Sequence, residues 1–206
     1  MAISFDLFDT LVTADRPTQP WDAVADELAA REITVPDDWE AAYRSSHRSI
    51  EPGAELSLIV HTRDALDSRG IEASRGTVRD ALLAAFDGPV TVREGAEQAL
   101  RAASEAGSVG LLSNCSLPGL VERTLERADL PVAFDAVVTS VACGWRKPHD
   151  RAFEAVADEL GVAVPELIHV GDDPRADGGG QTTGATVVLT EDVSLSAFPT
   201  WLEEHR

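Results

Sequence analysis

Asp6 ends an apolar run, AISF, and is followed within four residues by Asp9 and Thr10. Ser113 and Asn114 follow the run VGLL, Lys147 comes soon after VVTS, and Asp172, Asp173 and Asp177 follow LIHV. A carboxylate that closes a buried apolar strand is costly to desolvate without a partner, so Asp6 calls for positive charge nearby. Carboxylates that converge in one crevice need a hard cation among them. Mg²⁺ takes one or two carboxylates together with waters and phosphate oxygens. Three carboxylates, a hydroxyl and a lysine could thus meet in one crevice around such a cation.

Lys147 stands out by composition alone. Of 17 basic residues it is the one lysine, and the other 16 are arginines. A chain that has replaced lysine everywhere else has kept it at this position.

These residues need elements to bring them together. The C-terminal half alternates strand and helix signals: strands near residues 109–113, 134–140, 167–170 and 186–189, with helices near 117–128 and 150–160. Units of this length imply a doubly wound, Rossmann-like parallel sheet covered on both faces. The apolar segment 2–8 supplies a further, central strand. In such a sheet, ligands bind outside the carboxyl ends of the strands, where the polar residues above fall.

Between residues 15 and 88 the pattern changes. Four helical segments are expected, near 21–32, 37–48, 56–69 and 77–86, punctuated by Pro36, Pro52-Gly53, Gly70 and Gly88-Pro89. The expected organisation is an α/β core of residues 1–14 and 89–206 with an inserted helical subdomain of residues 15–88. That subdomain offers Trp21, Arg44, His47, Arg48, His61 and Arg63 as candidate substrate contacts.

The charge balance limits the partners. Thirty-six acidic residues against 17 basic ones give a formal charge of −19. That field repels nucleic acid and anionic membranes. Acidity with almost no lysine suits a salt-loaded cytoplasm, where molar salt shortens the Debye length to about 3 Å; a preference for arginine codons gives the same bias. No apolar run reaches the roughly 18 residues of a membrane span, and a cytoplasmic location is expected. Cys115 and Cys143 lack metal-ligand spacing and read as small packed residues. His47, His61, His149 and His169 show no ligand spacing either.

Taken in order, Phe5-Asp6-Leu7-Phe8-Asp9-Thr10-Leu11, Leu112-Ser113-Asn114, Arg146-Lys147-Pro148 and Val170-Gly171-Asp172-Asp173 with Asp177 resemble the four ordered motifs of the haloacid dehalogenase-like hydrolase superfamily. The resemblance spans nearly the whole chain, and the 15–88 insertion resembles that family's helical cap. It implies a Mg²⁺-dependent hydrolase acting on a small phosphorylated molecule through an aspartyl-phosphate. By position, Asp6 is then the nucleophile and a metal ligand, and the Phe8 carbonyl a second ligand. Asp172 binds Mg²⁺, with Asp173 and Asp177 helping to bind or orient it. Ser113 and Lys147 hold the transferring group, and Thr10 and Asn114 support the loops around it.

Two departures from that family's pattern follow. Its phosphatases carry an aspartate two residues after the nucleophile as general acid and base, and here that residue is Phe8. Such help is worth roughly 10²–10⁴-fold. Asp9 as a substitute acid, a substrate with a good leaving group such as an acyl phosphate, or a protein that binds phosphate ligands without turnover would each account for the loss. A dehalogenase, in which Asp6 displaces halide, is the competing enzymatic reading, favoured by the aromatic Phe8 and opposed by the Gly-Asp-Asp cluster. The second departure is Gly178, Gly179 and Gly180, which open a segment about one residue shorter than usual and cost roughly 1 kcal/mol each in helix propensity.

Overall fold

The computed structural model describes residues 1–130 and 132–205. Its centre is β1 (Ala2–Phe5), whose four residues are all buried. β1 pairs in parallel with β4 (Ser108–Ser113) on one side and β6 (Leu167–Gly171) on the other. β5 (Ala136–Thr139) and β7 (Thr186–Leu189) complete a five-stranded parallel sheet of order β5-β4-β1-β6-β7. The chain winds outward from β1 on one side and then returns to build the other. The strand order therefore reverses at β1, and a crevice opens at its carboxyl end.

Alternation along the strands sends side chains into two apolar layers. Ile3, Phe5, Leu111 and Val170 face one layer, shared with α5 (Ala96–Ala106) and α9 (Phe198–Glu204). There the Phe5 and Phe198 rings meet edge to face, 5.7 Å apart. Leu112, Val138 and Leu167 face the other, filled by Phe153, Val156 and Ala157 of α8 (Asp150–Glu159), which follows α6 (Leu120–Ala128) and the short α7 (Ser140–Cys143) in the chain. Gly110 lets α8 approach β4: a Cβ there would lie 2.9 Å from Leu160 Cδ1.

All five expected strands are present. β1 is shorter than the 2–8 segment expected, because the chain turns out of the sheet at Asp6. Between β2 (Val12–Ala14) and β3 (Val90–Val92) lie α1 (Pro20–Ala29), α2 (Trp39–Arg44), α3 (Leu58–Asp67) and α4 (Arg75–Ala85). Proline at the first turn of α1 and the Ser74 hydroxyl, which accepts the Thr77 N–H at 3.0 Å, start two of these helices. α2 is half the length expected, since Ser45 is extended. α1 packs on α4 and α2 on α3.

β2 and β3 pair antiparallel and form a stem through which the helical insertion leaves and returns. A second attachment lies at residues 53–58. Glu55 N–H donates to the Gly144 carbonyl, and its buried carboxylate accepts from Ser140 Oγ and Arg146. Among the described residues, no helix is long and apolar enough to cross a membrane.

Candidate active site

Asp6 is fixed by its backbone before its side chain is considered. Its N–H still donates to the Val170 carbonyl at 2.9 Å, while Leu11 and Val12 N–H groups both return to the Leu7 carbonyl. The intervening turn puts Asp9 at φ 63° and leaves it exposed. Phe8 is turned inward, and the Arg16 guanidinium lies over its ring, 4.6 Å from the centroid. Asp9, the expected substitute acid, thus lies on the solvent side of the turn.

Lys147 reaches Asp6 from the far side of the crevice. Asn114, just past β4, sets its backbone: Asn114 Oδ1 accepts the Lys147 N–H at 2.8 Å, and Asn114 Nδ2 donates to the Lys147 carbonyl at 2.9 Å. Asn114 is therefore committed to holding the loop that ends in the cis Lys147-Pro148 bond. From there the buried Nζ lies 2.9 Å from Asp6 Oδ1 and 2.6 Å from Asp177 Oδ1.

Asp177 is fully buried, and every oxygen is used. Besides Lys147, Oδ1 accepts from His169 Nε2 at 3.0 Å, and Oδ2 accepts the Asp173 N–H at 3.0 Å. An ionised carboxylate only accepts, so His169 Nε2 carries the proton and Nδ1 is an acceptor. Ser4 Oγ, 2.8 Å away, then donates to Nδ1. The result is a chain of contacts, Ser4–His169–Asp177–Lys147–Asp6, that leaves β1 at Ser4 and returns to the residue just past its end.

Gly171 at the end of β6 and Gly179 in the glycine run give this path its room. A Cβ on Gly171 would lie 2.1 Å from Asp177 Cγ, and one on Gly179 would lie 2.3 Å from Pro148 Cβ. Residues Asp177–Gln181 form a short 3₁₀ turn at close contact with the lysine loop. The glycines fix Asp177 beneath Lys147, where the sequence pattern suggests only a weakened helix.

Three carboxylates, those of Asp6, Asp172 and Asp177, offer oxygens within 4.8 Å of one another. Asp172 accepts from the buried Thr10 hydroxyl at 2.7 Å, which gives Thr10 a supporting place rather than one facing ligand. Asp173, expected with Asp172 in the metal set, is exposed, and its Oδ1 accepts the Arg175 N–H instead. Asp177, not Asp173, is the third carboxylate of the cluster.

Charge in the cluster is unbalanced. Burial raises Asp6, and the neighbouring Asp177 adds to this against the opposing pull of Lys147. Burial would raise Asp177 too, but the His169 hydrogen bond and the Lys147 charge outweigh it and hold that carboxyl well below its usual range. Lys147 is held up by Asp6 and Asp177 despite a burial that opposes its charge. His169 is pushed down by burial and stays neutral. Ser113 Oγ, at the end of β4, is buried with no hydrogen-bond partner in the protein. A buried hydroxyl without a partner is costly, and here it lies at the ligand edge of the sheet.

A cavity of about 440 Å³ lies between the inserted helices and the sheet edge, touching the site at Phe8 and Asn114. Its wall is largely apolar, with Trp21, Tyr43, Leu58 and Phe86 opposite Leu120. Of the candidate contacts, Trp21, Arg44 and His61 line it. The other three are engaged elsewhere: His47 with the Ala42 carbonyl, Arg48 with Asp64, and Arg63 with the Ala73 carbonyl. Arg16, Ser4 and His169 carry no sequence signal of a role. Ser4 and His169 are 165 positions apart and meet only through strand pairing.

The haloacid dehalogenase-like hydrolase family model matches residues 1–180. A mouse protein, haloacid dehalogenase-like hydrolase domain-containing protein 3, is 30% identical over 191 residues, covering 85% of this chain and 75% of the mouse protein. The fold is similar to that of a 2-haloacid dehalogenase from Pseudomonas syringae pv. Tomato DC3000, with TM-score 0.73, 19% identity and coverage of 100% of this chain and 99% of that one. It is also similar to a HAD phosphatase from Thermococcus onnurineus, with TM-score 0.54, 18% identity and coverage of 91% and 85%. With four motifs on the strand ends that such a site requires, the chain belongs to the haloacid dehalogenase-like hydrolase family.

Proposed function

We propose that this protein is a phosphohydrolase that uses Asp6 as nucleophile and requires Mg²⁺. The observation that carries the reading is the charge at the site: three carboxylates against one ammonium leave two negative charges in a half-buried cluster. That donor set fits a hard divalent cation. Asp6 and Asp172 would hold it, joined by the Phe8 carbonyl, since the oxygens of Asp177 are already engaged. When bound, the ion neutralises charge on the phosphoryl group.

The protein's own residues supply the rest. Lys147 holds Asp6 Oδ1, leaving Oδ2 to attack phosphorus. The bond from phosphorus to the leaving oxygen breaks, and the leaving group takes its electron pair. Lys147 and the Ser113 hydroxyl stabilise charge on the transferring oxygens. Water then attacks the phosphorus of the aspartyl-phosphate; one proton stays on the new hydroxyl, the other passes to a phosphate oxygen, and Asp6 is restored. The test is phosphate release from acetyl phosphate in high KCl, with Mg²⁺ and with EDTA, beside Asp6→Asn. Release that persists in EDTA or in the variant removes the reading.

A dehalogenase is the second reading, in which Asp6 displaces halide and water cleaves the ester. The aromatic Phe8 and the apolar cavity beside it favour that reaction, and several structures of similar fold are described as 2-haloacid dehalogenases. Halide release from a 2-haloacid without Mg²⁺ would establish it.

A further inference from the structure

Two independent features of the site limit what can leave from phosphorus. The first is chemical. Phe8 stands where a proton donor to the leaving oxygen would stand, and Asp9 is exposed and does not line the cavity. The leaving oxygen must depart as an anion. An alkoxide does so poorly, its conjugate acid having a pKa near that of water, about 15.7. A phenolate does so far more readily, with a pKa of about 10.

The second is steric. The cavity that meets Phe8 holds about 440 Å³, within the roughly 300–1,000 Å³ of sites for whole organic ligands. Phe8, Trp21, Tyr43 and Phe86 line it, and burial pushes the Tyr43 phenol up to about 12, so that it stays neutral. Flat apolar walls of this kind take up a ring through stacking and edge contacts. The Arg16 guanidinium over Phe8 places a positive charge at the wall where the proton donor is missing.

Resting on the phosphoryl-transfer reading above, we infer that the substrate is an aryl phosphate whose ring occupies this cavity. Asp6 takes the phosphoryl group, the phosphorus–oxygen bond to the ring breaks, and the phenolate leaves with the electron pair before taking a proton from water. Arg16 stabilises that anion. A small acyl phosphate reacts as well, because it also leaves without a proton, but gains nothing from the cavity.

The experiment compares 2-naphthyl phosphate, phenyl phosphate, glycerol 2-phosphate and acetyl phosphate, all with Mg²⁺ in high KCl. The aryl esters should exceed glycerol 2-phosphate in kcat/KM by about 10²–10⁴-fold, the range of the missing acid. Leu58→Trp, which fills the cavity, should raise KM for 2-naphthyl phosphate about tenfold or more relative to KM for acetyl phosphate. Quenching of tryptophan fluorescence should show 2-naphthyl phosphate binding to Asp6→Asn, a readout that needs no turnover. Acetyl phosphate turnover with no preference for aryl over alkyl esters would overturn the inference while leaving the phosphohydrolase standing. So would an unchanged ratio of these two KM values in folded Leu58→Trp. No phosphate from any substrate would remove both.

Discussion

Ser4 and His169 face each other in register across the β1–β6 pair, with Ser4 Oγ 2.8 Å from His169 Nδ1 and both side chains fully buried. Because Ser4 donates there, the Nε2 proton is left to point at Asp177, which in turn holds Lys147 against Asp6. The identity of a serine two residues before the nucleophile thus bears on where the lysine charge sits.

The path makes stability depend on pH in a definite direction. Burial lowers His169 from its ordinary value of 6.5 in the folded protein. Below about pH 6.5 the unfolded chain binds a proton that the folded imidazole refuses, so stability falls as pH falls from there toward the lowered pKa. His169→Gln keeps a donor for Asp177 and should lose this component. Urea unfolding of both proteins between about pH 7 and pH 5 in high KCl checks it, since the salt screens the general charge. Equal slopes for the two would remove His169 as the source.

Ser113 and Lys147 should separate catalysis from folding. The Ser113 hydroxyl is buried and unpartnered, so Ser113→Ala removes a desolvation cost and should leave Tm unchanged or slightly raised. The same change should slow turnover about tenfold or more if the hydroxyl meets a phosphoryl oxygen. A lower Tm with full activity would place the hydroxyl in the structure alone. Lys147→Met instead leaves Asp6 and Asp177 facing each other without the ammonium, and should lower both Tm and rate, the rate by about 10²-fold or more.

Much of this arrangement was legible because apolar strands declare themselves locally. Each of the five main strands is a short apolar run, and the polar residue that ends it falls at the ligand edge of the sheet. α5 carries only a weak apolar signal because its buried face is mostly alanine, Ala96, Ala99 and Ala103 beside the single Leu100, after a left-handed Gly95. β2 and β3 are three residues each and pair across the whole insertion. The glycines after Asp177 read as helix breakers, although what Gly179 supplies is close approach to Pro148, and Gly180 close approach to Val187 and Phe153. Propensity describes a segment alone, and these positions are set by what touches them.

Asn114 tests the lysine loop. Its side chain meets both backbone groups of Lys147, a pairing that Asp can only half reproduce. Asn114→Asp loses the donor to the Lys147 carbonyl and adds negative charge beside the cluster. It should lower kcat more than it raises KM, about tenfold or more in kcat by loss of orientation. Steady-state kinetics on acetyl phosphate read this directly, and an unchanged kcat would show that the cis Lys147-Pro148 loop is held by other contacts.

Metal binding itself should appear as stability. An ion that binds the folded cluster and not the unfolded chain stabilises by about 2.7 kcal/mol at a hundred times its Kd. The gain should be large here because burial and Asp177 already raise Asp6, and a cation relieves both. Mg²⁺ should therefore raise Tm by several degrees in high KCl, EDTA should reverse it, and Asp172→Asn should abolish most of it. Asp173→Asn should not, since Asp173 is exposed and its carboxylate is bonded to the Arg175 N–H. Equal losses in the two variants would return Asp173 to the metal set, and no Mg²⁺ shift in the parent protein would favour the metal-free displacement of halide.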